Sequence, residues 1–125
     1  MDVLVVEDNE DVADSLAFLL GCYGHRATVA QDGESALSLL CGHAFELVLL
    51  DENLPGIRGS AVARSIITTP CAERPFIVSM TGDSEVGGLS RLFDVCLRKP
   101  FSPDALLQAI EDARTRGQAG ALLAA

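Results

Sequence analysis

Short apolar runs alternate with helical periods along the whole chain. Residues 3–6 and 47–50 are continuous apolar runs, which is the pattern of strands covered on both faces of a sheet. Between residues 11 and 20 the apolar positions instead recur with a helical period, and Asn9 precedes them as a candidate N-cap. The other predicted elements are strands over 26–30, 76–80 and 95–97, and helices over 33–41, 60–68 and from Ser102 onward.

This alternation predicts an α/β fold with a parallel sheet and helices on both of its faces. A chain of 125 residues has room for one such domain, which we place at residues 1–116. The Gly- and Ala-rich stretch 117–125 is predicted to be a flexible C-terminal tail. In sheets of this kind ligands bind beyond the carboxyl ends of the strands, so the residues that follow each strand are the candidates for chemistry.

Polar side chains follow four of the five predicted strands. Glu7 and Asp8 follow the first, Asp51 the third, Thr81 the fourth and Lys99 the fifth. Each of these residues is ordinary by itself, as a helix cap, a turn residue or a solvated amine. Because a parallel sheet gathers its strand ends at one edge, we expect all five side chains to lie together.

Three carboxylates at one edge repel one another and raise at least one pKa unless a cation is present. With only oxygen ligands on offer, a hard ion such as Mg²⁺ suits the group. The Lys99 ammonium and the Thr81 hydroxyl are both suited to phosphate oxygens. The strand ends therefore predict a site that handles Mg²⁺ and phosphate.

Composition narrows the range of partners. The net charge is −9 and the pI is near 4.4, which argues against direct nucleic-acid binding because phosphate backbones require basic surfaces. The chain has no run of 18 apolar residues and no basic-then-apolar start, so we expect a cytoplasmic protein without membrane insertion. Four cysteines without C-x-x-C spacing predict reduced, partly buried thiols: Cys22, Cys41, Cys71 and Cys96.

With these residues placed, the chain up to about Arg116 resembles a response-regulator receiver domain of bacterial two-component signalling. The most specific segments are VLVVEDNEDVADSLAFLL, LVLLDENLPGIRG, SMTG and LRKPF. The resemblance implies a flavodoxin-like (CheY-like) doubly wound sheet of strand order 2-1-3-4-5. It also implies a switch that takes a phosphoryl group from a histidine kinase or phosphotransfer protein and then acts on an unknown downstream protein.

The resemblance assigns roles by position. Asp51 corresponds to the phosphoacceptor, and the Mg²⁺ ion, for which Mn²⁺ substitutes, would be held by Asp8, Asp51, the backbone carbonyl of Asn53 and, through water, Glu7. Thr81, Gly82 and Lys99 correspond to the residues that bind the phosphate, and Asn53 and Asp83 to those that tune dephosphorylation. The domain would catalyse only its own phosphorylation and dephosphorylation and is otherwise not an enzyme.

Two features depart from the family pattern. Cys96 stands where most receivers carry an aromatic switch residue, so we expect an output that depends more on loop and backbone. The segment between Thr81 and Lys99 is shorter than usual and contains Gly82, Gly87 and Gly88. Because glycine disfavours helix, we predict that the fourth helix is short or irregular.

Two other interpretations compete with a phosphorylated switch. A small metal-dependent phosphatase with an aspartyl nucleophile also places Asp at a strand end, but such enzymes carry a second Asp where this chain has Asn53. A non-phosphorylated interaction module on the same fold usually lacks an acidic residue or the lysine, and this chain retains them. Whether the domain stands alone or belongs to a hybrid kinase stays open, as do its kinase, its pathway and its oligomeric state.

Overall fold

The computed structural model describes residues 1–68, 74–81 and 92–124, with side chains described through residue 116. Within this part of the chain strands and helices alternate as the sequence predicts, except between the last two strands, where most residues are not described. The elements are β1 (Asp2–Val6), α1 (Glu10–Cys22), β2 (Arg26–Ala30), α2 (Gly33–Gly42), β3 (Leu47–Asp51), α3 (Gly59–Thr68), β4 (Phe76–Thr81), β5 (Val95–Arg98) and α4 (Pro103–Ala124). The predicted fourth helix of the family pattern falls between β4 and β5, almost entirely outside the described residues.

All five strands run parallel in the order β2-β1-β3-β4-β5, which confirms the predicted doubly wound topology. The central strands β1 and β3 are the two continuous apolar runs, and residues 3–6 and 47–50 are fully buried. Strand β2 lies at an edge of the sheet, which accounts for its more polar sequence and partial exposure. The register places the carboxyl ends of β1, β3 and β4 side by side.

Helices cover both faces of the sheet because side chains along each strand alternate between two apolar cores. One core packs α1 and α4 against Val3, Val5, Leu47 and Leu49. The other packs α2 and α3 against Leu4, Val6, Val48 and Leu50. Period-two alternation along a buried strand thus supplies two cores at once, and it leaves the strand ends free to carry polar groups.

Side-chain caps begin three of the helices. The Asn9 carboxamide oxygen accepts a hydrogen bond from Val12 N at 3.2 Å, as predicted, and Ser102 Oγ accepts one from Ala105 N at 3.2 Å. Asp32 caps α2 by accepting from Ser35 N at 2.7 Å, and this bond lowers the pKa of its carboxyl group. These caps set where each helix begins after a strand-end loop.

A charged cluster joins α4 to the end of the sheet where β4 and β5 begin, which is opposite to the carboxyl ends of the strands. The Asp94 carboxylate pairs with Arg74 at 3.3 Å and with Arg116 at 3.0 Å, and it accepts the Ile77 N–H at 2.8 Å. The Arg116 guanidinium also donates to the Arg74 carbonyl at 3.0 Å and lies over the Phe76 ring, 5.3 Å from its centre. This cluster joins the starts of β4 and β5 to the last helix.

One expectation needs correction. Cys22, Cys41 and Cys96 are free thiols as predicted, but they are exposed rather than partly buried, because each lies on an outward-facing position; Cys71 is outside the described residues. The helical backbone of α4 continues through Ala124, and the domain boundary at residue 116 stays a prediction. The flexibility of residues 117–125 stays a prediction. No helix in the described ranges combines the length and apolarity that crossing a membrane requires.

Candidate functional site

The carboxyl ends of β1 and β3 bring three acids together. One carboxylate oxygen each from Glu7, Asp8 and Asp51 lie within 4.8 Å of one another. Glu7 and Asp51 are buried, with 2% and 4% of their surfaces exposed, whereas Asp8 is exposed. The prediction that separate strand ends meet at one edge is therefore confirmed for these side chains.

Lys99, which follows β5, closes the same group. Its Nζ lies 3.0 Å from Glu7 Oε2 and 3.4 Å from Asp51 Oδ2, so one ammonium bridges two of the acids. Burial by itself lowers the pKa of Lys99, but the hydrogen bond to Glu7 and the charge of Asp51 outweigh burial and raise that pKa above its ordinary value. Lys99 is thus a fixed positive charge at neutral pH, aimed between Glu7 and Asp51.

Glu7 lies in the most crowded part of this cluster. Burial is the main reason that the pKa of its carboxyl group is raised, and the negative charge of Asp51 adds to it; the bonds from Lys99 and from Asn9 N act in the opposite direction. The bond from Asn9 N to Glu7 Oε1 is 3.2 Å long. The single ammonium therefore does not offset the whole negative charge of the cluster.

Asp51 is held on both sides. Its Oδ1 accepts a hydrogen bond from Asn53 N at 3.2 Å, while its Oδ2 faces Lys99. Thr81, at the end of the neighbouring strand β4, is 3% exposed. Its backbone carbonyl oxygen accepts a hydrogen bond from the backbone N–H of Lys99 at 2.7 Å. The sheet thus places Thr81, Lys99 and Asp51 at one edge, as the sequence predicts. The roles assigned to them stay predictions.

Of three other residues singled out from the sequence, the structure describes Cys96 and does not describe Gly82 and Asp83. Cys96 lies on β5 opposite Ser79 of β4 and is exposed, although partial desolvation raises the pKa of its thiol. Gly82 and Asp83 lie outside the described residues, so their predicted parts in binding phosphate and tuning its loss are not addressed.

The chemistry of this donor set fits a divalent hard cation. All three clustered side chains offer carboxylate oxygens, the ligands that Mg²⁺ prefers. The close approach of these carboxylates to one another is unfavourable, and a bound cation would offset their repulsion. Asp8, which is exposed, is the acid best placed to add a ligand from the solvent side.

Sequence reasoning missed two residues beside Asp51, the predicted acceptor. Glu52 is buried, with 8% of its surface exposed, and its carboxylate pairs with Arg58. Gly59 begins α3 against the end of β3, where an added Cβ would overlap the Asp51 carbonyl oxygen. The signal for Glu52 was its place directly after a buried strand, and the signal for Gly59 was a glycine at the start of a predicted helix.

Comparison with known proteins agrees with this geometry. Residues 3–111 match the model of the family described as response regulator receiver domain. The sensory transduction protein RegX3 of Mycolicibacterium smegmatis is 39% identical over 118 residues, covering 92% of this chain and 51% of RegX3. The virulence sensor protein BvgS of Bordetella bronchiseptica is 35% identical over 123 residues, covering 91% of this chain and 10% of BvgS. The chain therefore spans about half the length of RegX3 and about a tenth of the length of BvgS.

Solved structures show the same fold. A CheY-like receiver domain from Methylobacillus flagellatus superposes with a TM-score of 0.85 at 26% identity, covering 90% of this chain and 98% of that one. The response regulator TrrA of Thermotoga maritima, in complex with Mg²⁺-BeF, superposes with a TM-score of 0.82 at 28% identity, covering 90% and 97% of the two chains. With the family model matched along nearly the whole domain, this chain belongs to the response regulator receiver domains of two-component signalling.

Proposed function

We propose that this receiver takes a phosphoryl group onto Asp51 with the help of Mg²⁺, or of Mn²⁺ in its place, and works as a phosphorylation switch. One observation carries the proposal. Two buried acids at the carboxyl ends of β1 and β3 share one lysine that follows β5, and the exposed Asp8 lies beside them. Such a group of acids costs free energy in a folded protein, and phosphoryl transfer gives it a use.

The transfer forms one bond and breaks another. An Asp51 carboxylate oxygen attacks phosphorus, the bond from phosphorus to the donor histidine nitrogen breaks, and that nitrogen keeps the electron pair and takes up a proton. Asn53 N and Lys99 Nζ orient the Asp51 carboxylate for in-line attack. Lys99 is also close enough to pair with a phosphoryl oxygen after transfer.

The metal would be held by Asp8, Asp51 and the backbone carbonyl of Asn53, with Glu7 acting through water. When bound, Mg²⁺ supplies positive charge at the phosphoryl oxygens. The Lys99–Glu7 ion pair keeps the ammonium in place beside that charge. TrrA, which has the same fold, is known in complex with Mg²⁺-BeF, and this supports Mg²⁺ as the ion.

The output follows from the charge that the phosphoryl group adds. Thr81 and the backbone of Gly82 would turn toward the new oxygens and shift a pre-existing equilibrium of the surface after β4. Asn53 and Asp83 would set how fast water removes the group. Because Cys96 replaces the usual aromatic residue, the switch would act through loop and backbone.

The domain would work in the cytoplasm, with a histidine kinase or phosphotransfer protein as donor and an unknown protein as downstream target. The names of the relatives support this context, since RegX3 is a sensory transduction protein and BvgS a virulence sensor protein. The net charge of −9 argues against direct contact with nucleic acid.

The test is phosphorylation by acetyl phosphate, followed by intact-protein mass spectrometry. With Mg²⁺ the native chain should gain the mass of one phosphoryl group, while Asp51→Asn should gain none. Asp94→Asn, which alters an acid at the other edge of the sheet, should be labelled like the native chain. A native chain that gains no adduct with donor and Mg²⁺ would end the acceptor proposal and favour the non-phosphorylated interaction module.

A further inference from the structure

Glu52, the residue after the proposed acceptor, organises the loop between β3 and α3 through its backbone. Its N–H donates to the Met80 carbonyl of β4 at 3.3 Å. Its carbonyl oxygen accepts from Leu54 N and from Gly59 N, each at 3.2 Å. One residue therefore connects the end of β3 to the neighbouring strand, to the loop and to the first residue of α3.

The Glu52 side chain closes the same loop a second time. Its Oε1 accepts from Arg58 Nε at 3.3 Å and from Ser60 Oγ at 3.1 Å. Arg58 is the last residue of the loop, and Ser60 is in the first turn of α3. The carboxylate thus joins the two ends of residues 52–60 by side-chain bonds, while the backbone bonds join them independently.

The second carboxylate oxygen of Glu52 is unexpected because it is buried without a partner in the part of the chain that the structure describes. Glu52 Oε2 is buried and has no hydrogen-bond partner among the described residues. A buried carboxylate with one unpaired oxygen is unfavourable, and a well-packed apolar side chain of similar size often gives a more stable protein. Fold stability alone therefore does not account for a glutamate at this position.

The backbone groups of Asn53, which lies in this loop, do account for a glutamate at position 52. Asn53, the next residue, donates its N–H to Asp51 Oδ1 at 3.2 Å, and its carbonyl is the proposed backbone ligand of the metal. We propose that Glu52 is a positioning residue, which acts through the loop to hold both groups of Asn53 where the Asp51 carboxylate and a divalent cation require them. This inference depends on the proposed function for its biological meaning, but it makes a separate claim about cation binding.

The test compares Mg²⁺ binding in the native chain and in variants, using backbone amide shifts in a Mg²⁺ titration. Removing the side chain with Glu52→Ala should raise the Mg²⁺ concentration at half-saturation about tenfold, the lower end of the range for groups that orient a metal ligand. Arg58→Met, at a side chain that is 69% exposed, should shift it in the same direction. Glu52→Gln keeps an acceptor oxygen for Ser60 and should recover part of the loss.

Asp94→Asn is the matched control, because Asp94 is also an acid paired with arginine, and it lies at the far edge of the sheet with 19% of its side chain exposed. This variant should lower thermal stability and leave Mg²⁺ half-saturation unchanged. In the double variant Glu52→Gln/Arg58→Met, the shift should be smaller than the sum of the two single shifts, because the residues act through one bond.

Unchanged half-saturation in Glu52→Gln and Arg58→Met would overturn the inference, and these two variants decide it even if Glu52→Ala does not fold. An equal shift in Asp94→Asn would also overturn it, since the effect would then be general destabilisation. Because the titration uses no phosphodonor, a native chain that binds Mg²⁺ but takes no phosphoryl group would refute the acceptor proposal, and the result for Glu52 would still hold.

Discussion

Gly59 offers the sharpest test of how closely the site depends on local packing. In Gly59→Ala the new Cβ would lie 2.9 Å from Glu52 Cα and 3.0 Å from the Asp51 carbonyl carbon, and it would overlap the Asp51 carbonyl oxygen. These are backbone atoms at the end of a central strand, so they cannot move aside as a flexible side chain does. The substitution must therefore displace α3 or the residue that carries the proposed acceptor.

The magnitude follows from two opposing effects. Overpacking of this kind costs about 1–3 kcal/mol, whereas replacing a helical glycine by alanine stabilises by about 0.5–1 kcal/mol. We expect a net loss of roughly 1–2 kcal/mol, which corresponds to a urea midpoint lower by about 0.5–1 M for a domain of this size. The rate of Asp51 phosphorylation at saturating Mg²⁺ should also fall, because Asp51 itself is displaced.

Gly21→Ala is the control for this experiment. Gly21 is in α1, and a Cβ added there would meet no atom within 4 Å, so this variant should be more stable than the native chain by about 0.5–1 kcal/mol. Its phosphorylation rate should match the native rate. If both alanine variants unfold at the same or higher urea concentration than the native chain, the close approach of α3 to β3 is not the constraint described above.

Three further predictions concern the switch and its charges. Cys96→Tyr should leave phosphoacceptance intact because Cys96 is exposed on β5; a large loss of labelling by acetyl phosphate would contradict this. Amide hydrogen exchange over residues 82–94 should slow when beryllofluoride and Mg²⁺ are added, and equal protection in both states would count against ordering of that segment. The raised pKa of Glu7 means that the folded chain holds this proton more tightly than the unfolded chain does, so its contribution to the free energy of unfolding should decline as pH rises from 4.5 through the raised pKa. Urea unfolding between about pH 4 and pH 7 should show this decline in the native chain and not in Glu7→Gln, and added Mg²⁺ should reduce the difference between the two chains. If, without Mg²⁺, the plots of unfolding free energy against pH are parallel for the two chains, the Glu7 pKa is not perturbed.

Sequence reasoning found the sheet and the acids because both depend on strong, local signals. Residues 3–6 and 47–50 are apolar at every position, which is the pattern of strands covered on both faces, and a parallel sheet then fixes which ends meet. Glu7, Asp51 and Lys99 could be placed together from connectivity alone, and the structure confirms their contacts.

The features that it missed depend on directions that a sequence does not encode locally. The exposure of Cys22 and Cys41 is set by the angular phase of α1 and α2 against the sheet, and apolar neighbours along the chain do not report that phase. The role of Glu52 depends on the path of a loop that returns Arg58 and Ser60 to it.

The ion pair between Glu7 and Lys99 joins positions that are 92 residues apart in the chain. During synthesis, which proceeds from the amino terminus, the acids of β1 and β3 leave the ribosome well before their lysine does. A nascent chain therefore lacks the contacts of Lys99 with Glu7 and Asp51 until its fifth strand is free to join the sheet. On the proposed function, topology links the ability to receive a phosphoryl group to completion of the fold.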